Sequence, residues 1–207
     1  MKLLSRKDVA PICKQIAAEH EGWAYVAESF RYKIGNHSTI YIMPLWAFKL
    51  SAQPSVWLEN KQTTKLIKQV REKYYGGGYP ISTMKILRPG ATLKTQVYQE
   101  FVYDLIAAER YIRDFFARGL RVIEKYYNYS DERELLENIP FQSDGGNAER
   151  YCYARIVLGD FEFVESFIND KIKTDVPKRE KFISIAKELL PVWKKNYQET
   201  GSVFGKK

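Results

Sequence analysis

Residues that build disulfide and metal sites are scarce in this chain of 207 residues. It contains two cysteines, Cys13 and Cys152, and two histidines, His20 and His37. Two distant cysteines cannot form the disulfide framework of a small secreted protein, and both lie in amphipathic segments where a buried thiol packs well. A structural zinc site needs four Cys or His ligands, and a catalytic one needs three. We therefore expect two buried free thiols, no cofactor and no metal site of Cys and His ligands, and a magnesium site built from carboxylates remains open.

Long apolar runs are also missing. The longest candidate, residues 40–50, contains Pro44 and Lys49, and it is shorter than the roughly 18–20 residues that span a bilayer. The first residues pass from two leucines directly to charged side chains, without the apolar stretch of roughly 7–15 residues that a signal peptide needs. These absences predict a cytoplasmic protein that has no membrane partner.

The sequence also lacks the motifs of the common catalytic classes. The run Gly76-Gly77-Gly78 is followed by Tyr79-Pro80 and a strand pattern, whereas a phosphate-binding loop continues into a Lys-Ser/Thr pair and a helix. No Gly-x-Ser-x-Gly elbow occurs. The paired glutamates lie in helical segments with compensating Lys and Arg, which is typical of a solvated surface. The sequence favours a non-enzymatic protein, and an enzyme based on carboxylate chemistry remains open.

Positive charge, by contrast, is abundant and uneven. The net charge is +8, and residues 1–100 carry 15 Lys and Arg against 7 Asp and Glu, whereas residues 101–207 carry 18 of each. A basic half of this kind attracts nucleic acid, anionic lipid or an acidic protein surface. The alternative is that the charge serves solubility alone.

The clearest basic pattern lies in a predicted helix over residues 60–75, which Asn60 can cap. Apolar side chains recur on one side of this helix at steps of three and four, and lysines recur on the other. A lysine stripe is also typical of an ordinary solvated helix face. If the stripe binds a partner, tryptophans of the neighbouring strands can supply aromatic anchors. The candidate binding residues are Trp46, Trp57, Lys61, Lys65 and Lys68.

The spacing of apolar residues predicts strands early in the chain and helices later. Steps of two predict strands, with a bulge or a break into two short strands near Glu28-Ser29. The strand over residues 39–50 is apolar on both sides, which suits a central strand or an interface, while Pro44 favours an edge or a bulge. Gly119 is expected to interrupt a long helix. The predicted strands cover 23–34, 39–50, 56–58 and 81–87; the main predicted helices cover 8–21, 60–75, 147–158 and 160–172.

This order predicts an α+β fold. A small, mostly antiparallel N-terminal sheet with one or two helices is followed by a C-terminal helical layer. No linker separates domains, so we predict a single compact domain over residues 1–207. A soft boundary near residue 92 divides it into a sheet-containing half, 1–91, and a helical half, 92–200, and residues 201–207 form a loose tail.

Scattered pieces of the chain resemble a known family. Gly22-Trp23 leads to Phe30-Arg31, then come Trp46-Ala47-Phe48-Lys49 and a helical string from Ala154 to Phe161. In this order they resemble a bacterial family of unknown function, small α+β proteins found among toxin–immunity loci. The resemblance implies a stoichiometric binding protein, and it assigns no site residues.

Charge and resemblance together suggest a partner. They predict a protein that binds another protein, a toxin with an acidic surface, and neutralises it by steric and electrostatic occlusion. The alternative is a nucleic-acid-binding protein that uses the basic N-terminal half.

Overall fold

The computed structural model describes residues 4–43, 55–77, 83–85, 104–139, 147–172 and 180–206. Five strands lie in one sheet in chain order, and helices follow the last strand. This confirms the predicted α+β class with an N-terminal sheet. The strands are β1 (Trp23–Val26), β2 (Ser29–Ile34), β3 (Ser38–Met43), β4 (Ser55–Asn60) and β5 (Thr83–Lys85); the helices are α1 (Arg6–Ala18), α2 (Lys61–Tyr74), α3 (Leu105–Tyr126), α4 (Glu132–Glu137), α5 (Asn147–Val157), α6 (Phe161–Ile168) and α7 (Glu180–Thr200).

The chain divides into two compact units that interleave in sequence. Residues 1–58 and 85–132 form the first unit, and residues 59–84 and 133–207 form the second. Helix α2 therefore belongs with the later helices, although strands surround it in the sequence. The predicted soft boundary near residue 92 lies outside the described residues.

Two tight hairpins join the first three strands of the sheet. Strands β1 and β2 pair antiparallel with Val26 opposite Ser29, so only Ala27 and Glu28 remain to make the turn. Both have positive φ, 46° and 61°, as a two-residue hairpin turn of the favoured hand requires. The break in the alternation near Glu28-Ser29 is thus the end of one strand and the start of the next. This confirms the predicted break into two short strands rather than the bulge.

Strand β3 presents one face to the core. Ser38, Ile40 and Ile42 are buried, and the residues between them are half-buried. This alternation shows that at least the first part of the predicted strand 39–50 covers a core on one side. The remaining residues, 44–50, lie outside the described residues.

Helix α3 packs on this face through aromatic rings and one glycine. The ring of Phe116 lies 4.4 Å from that of Phe30 and 5.1 Å from that of Trp23, between centroids. Gly119 sits inside the helix, where an added Cβ would come within 2.9 Å of two Ile42 carbons. The prediction that Gly119 interrupts the helix is wrong, because its missing side chain serves close approach to β3 rather than a break.

The second unit is held by a core that α2, α5, α6 and α7 share. Its largest fully buried side chains are Leu66, Phe167 and Phe182. The α5–α6 hairpin turns at Gly159, whose φ is +79°. An added Cβ there would lie 2.5 Å from the Tyr197 ring, so glycine is required both by the turn and by the contact with α7. The helical hairpin predicted around Gly159 is confirmed.

The segment after α7 folds back on the second unit, and we call residues 201–206 the hook. Gly201, with φ of +69°, ends the helix and donates to the Tyr197 carbonyl at 2.8 Å. Val203 is 3% exposed and belongs to the core of this unit. The sequence predicts a loose tail here; the structure gives the segment a buried anchor and a helix-ending glycine.

Both cysteines are buried free thiols, as predicted. No helix within the described ranges is long and apolar enough to cross a membrane.

We expect Gly119→Ala to lower the free energy of unfolding by about 1–3 kcal/mol, because the new methyl group overpacks against fully buried Ile42. Helix propensity alone predicts the opposite, a gain of about 1 kcal/mol. Urea denaturation measures the difference. In a double-mutant cycle, Gly119→Ala with Ile42→Ala should cost less than the two single changes added together. A stabilised Gly119→Ala protein would contradict the packing.

Burial raises the pKa of the Cys13 thiol to about 11, while a hydrogen bond with Tyr25 lowers it in part. We therefore expect almost no thiolate at pH 8 and no alkylation of Cys13 by iodoacetamide in the folded protein, with rapid alkylation in denaturant. The variant Cys152→Ala isolates the signal of Cys13. The pKa of this thiol is higher in the folded than in the unfolded protein. The stabilising contribution of its burial is therefore complete below about pH 9, the unfolded pKa, and it is lost as the pH rises to about 11. Fast alkylation without denaturant would contradict this assignment.

Candidate functional site

The structure places the five candidate residues in three different situations. Lys61, Lys65 and Lys68 are exposed on α2, and we call them the lysine face. Trp57 is half-buried in β4 and belongs to the first unit, whereas the lysine face belongs to the second. Trp46 lies outside the described residues. The structure therefore joins the three lysines on one helix and places Trp57 in the other unit.

Helix α2 is fixed at its first turn by a buried cap. The Asn60 side-chain oxygen accepts from the Thr63 backbone N–H at 2.9 Å, and its backbone carbonyl accepts from the Thr64 hydroxyl at 2.9 Å. Asn60 is 3% exposed and Thr63 is fully buried. The predicted cap at Asn60 is thus confirmed, and it fixes the residue at which the helix begins.

The inner side of α2 fixes the direction of the lysine face. Leu66, Ile67 and Val70 are buried in the core of the second unit. Since successive helix residues are about 100° apart, burying these positions turns Lys61, Lys65 and Lys68 to solvent. The three lysines span roughly 10 Å along the helix axis.

The three ammonium groups differ in their surroundings. The Lys68 ammonium lies 3.8 Å from a Glu72 carboxylate oxygen, a surface pair with both side chains more than half exposed. The Lys65 ammonium lies 3.9 Å from the centroid of the Phe204 ring, in the hook. Lys61 forms no ion pair within the described residues. Within the described ranges, two of the three charges are therefore not offset by a carboxylate.

Positive charge in the second unit is concentrated around α2. Residues 59–84 carry five Lys and Arg against two Asp and Glu, and residues 133–207 carry 13 against 12. The unit has a net charge of +4, of which residues 59–84 contribute +3 and residues 133–207 contribute +1. A local concentration of one sign attracts a ligand of the opposite sign more strongly than a uniform surface.

The C-terminal end of α2 joins α7 by a polar contact. Glu188 accepts from the Tyr74 hydroxyl and, at 3.2 Å, from the Lys73 ammonium. These hydrogen bonds lower the pKa of the Glu188 carboxyl, and the one from Tyr74 has the larger effect. Hydrogen bonds with Tyr74 and Glu188 raise the pKa of the Lys73 ammonium. Beyond the helix, the Lys181 ammonium lies 4.0 Å from the centroid of the Tyr75 ring. Both ends of α2 are thus held by residues of the same unit.

A groove of about 430 Å³ lies between α6 and α7. Glu162, Glu165 and Lys194 line it, and Lys194 forms an ion pair with Glu165. The hydroxyl of Tyr197, also in the lining, donates to the Leu158 carbonyl at 3.0 Å. Lys194 and Glu165 thus join the two helices across the groove, and the Tyr197 hydroxyl joins α7 to the residue that follows α5.

Arg155 is a structural centre that sequence reasoning missed. Its side chain is 14% exposed and forms an ion pair with Asp160 at 3.0 Å. It also donates to the Glu137 carbonyl at 3.0 Å and to the Tyr151 hydroxyl oxygen at 2.9 Å. Its guanidinium carbon lies 4.9 Å from the centroid of the Phe163 ring. One side chain thus joins α4, α5 and α6, and a signal was present, because Arg155 and Asp160 flank the turn at Gly159.

We expect Arg155→Met to lower the free energy of unfolding by about 2–4 kcal/mol, since it leaves the Glu137 carbonyl and the Asp160 carboxylate without this donor. Arg133→Met is the matched control: it removes an arginine that is 58% exposed and bound to Glu137, and it should cost about 1 kcal/mol or less. Urea denaturation of both variants tests this difference. Equal losses would show that Arg155 is an ordinary surface residue.

The described surface is suited to binding anions. The exposed ammonium groups of the lysine face attract carboxylates or phosphates. No group of three or more His, Cys, Asp and Glu side chains is placed to hold a metal ion in the part of the chain that the structure describes, and His20 packs edge-on against Phe116 with centroids 4.9 Å apart.

No protein-family model, curated protein or solved structure matches this chain.

Proposed function

We propose that this protein is a non-catalytic binding protein whose lysine face binds a carboxylate-rich surface of a partner protein. The observation that supports the proposal is the lysine face itself: three exposed ammonium groups on one side of a helix whose other side is buried. A fixed helix presents charges at constant spacing, which favours one complementary pattern of carboxylates over others.

Acidic protein is favoured over nucleic acid by the aromatic residue beside the lysine face. Single-stranded nucleic acid needs open ring faces on which bases stack. The ring of Phe204 lies beneath the Lys65 ammonium and also packs against the core of the second unit. Phe204 is thus suited to support a lysine rather than to bind a base.

The resemblance to proteins of toxin–immunity loci suggests what the partner is. In this proposal the partner is a toxin with an acidic surface, and the protein neutralises it in the cytoplasm by covering that surface. Lysines at the rim of the contact speed the encounter through long-range attraction. Binding is then stoichiometric, with no turnover.

The binding test uses fluorescence anisotropy with a labelled oligo-glutamate peptide and with oligo-dT of equal charge. We expect the wild type to prefer the peptide, and K61E/K65E/K68E to bind it at least about tenfold more weakly, because three attractions become repulsions. The control K7E/K14E/K187E changes the charge equally at exposed lysines outside α2, and it should lose far less affinity.

Two outcomes would contradict the proposal. Equal losses in both triple variants would mean that net charge alone attracts the peptide. Preference for oligo-dT, with log affinity falling linearly against log salt, would instead support the nucleic-acid alternative.

The toxin assignment has its own test: co-expression of the neighbouring open reading frame should permit growth with the wild type but not with K61E/K65E/K68E.

A further inference from the structure

The hook is built as a fixed element. The Asn196 side chain donates to the Val203 carbonyl at 3.0 Å, and the Ser202 hydroxyl oxygen accepts from the Phe204 backbone N–H at 3.3 Å. Val203 is 3% exposed within the core of the second unit. These contacts hold the backbone of residues 202–204 without any help from Lys65.

The fixed backbone carries a ring to the lysine face. Phe204 directly follows the buried Val203, and the centroid of its ring lies 3.9 Å from the Lys65 ammonium. This is well inside the roughly 6 Å within which a ring face attracts a cation. The contact joins a side chain of the hook to the middle residue of the lysine face.

A neutral ring and a carboxylate have different effects on a lysine. Glu72, 3.8 Å from Lys68, holds that ammonium and also offsets its charge. Phe204 holds the Lys65 ammonium by the quadrupole of its ring and leaves the full positive charge in place. Among the contacts of the described residues, Lys65 is therefore the lysine of this face that a neutral ring positions and no carboxylate neutralises.

A positioned lysine binds an anion at lower entropic cost. A free lysine side chain has many rotamers, and an anion that binds it must restrict them. The contact with Phe204 has already restricted part of this freedom in the unbound protein. The consequence is higher affinity without any added contact to the partner.

We propose that Phe204, carried by the hook, is a positioning residue that makes Lys65 the principal carboxylate-binding group of the lysine face. This inference rests on the proposed function, since it assigns a role within the same surface. It commits to carboxylates of an acidic protein segment as the ligand.

The first test requires no partner and no variant. In the NMR spectrum of the wild type, the ring current of Phe204 should shift the Lys65 Cε protons upfield of those of Lys61 and Lys68 on the same helix face. Absence of this shift would overturn the inference, whatever the protein binds.

The second test is a double-mutant cycle read by anisotropy of the labelled oligo-glutamate peptide. Phe204→Leu keeps an apolar side chain of similar size and removes the ring, and we expect binding about two- to fivefold weaker. Phe204→Tyr keeps the ring and should bind like the wild type. In a Lys65→Met background, Phe204→Leu should have no further effect, because its role acts through Lys65.

The outcomes separate the inference from the proposed function. If the wild type binds the peptide and Phe204→Leu binds it equally well, the positioning role is wrong and the binding function stands. If Phe204→Leu weakens binding equally in the Lys65→Met background, the hook has only a structural role and the inference is also wrong. If the wild type does not bind the peptide, the proposed function is wrong, and the role of Phe204 in it is wrong too.

Discussion

The burial of Leu66, Ile67 and Val70 determines which side of α2 meets water. These side chains join the core of the second unit, and the buried Asn60 cap fixes where the helix starts. A rotation of the helix by one residue would turn ammonium groups toward that core, at a cost of several kcal/mol for each unpaired charge. The lysine face is thus a consequence of core packing, and its direction is as well determined as the core itself.

Polar contacts within the second unit serve mostly to join helices. Arg155 connects α4, α5 and α6; Glu188 connects α2 and α7; Lys194 connects α6 and α7. In each of these contacts a charge meets a carboxylate or a carbonyl of the same unit. The lysine face differs in part: Lys68 meets a carboxylate, but Lys65 meets a ring and Lys61 is exposed to solvent.

Local signals allowed much of the fold to be predicted. Asn60 caps α2 and Gly159 turns the α5–α6 hairpin because their conformations depend on immediate neighbours. Gly119 could not be interpreted in this way, since its role depends on Ile42, which is distant in the sequence and is brought close only by the fold. The same limit applies to Phe204. A short segment rich in small residues resembles a loose tail, and only the packing of Val203 into the core of the second unit shows that it is fixed.

The candidate site was partly predictable for the same reason. Lysine spacing along one helix is a local pattern, so Lys61, Lys65 and Lys68 could be placed on one face from the sequence. Which helices would share a core with α2 depends on long-range packing, and the two units interleave along the chain. No local pattern could therefore bring Phe204 to Lys65.

The turn between β1 and β2 shows a disagreement between local preference and fold. Ala27 and Glu28 both adopt positive φ, a conformation that glycine or asparagine adopts at lower cost. Glu28 forms an ion pair with Arg6 of α1, so an element from outside the hairpin contributes to holding the turn. A hairpin with an unfavourable turn gains little by closing alone. The pairing of these two strands and the docking of α1 are therefore expected to occur as one cooperative folding step.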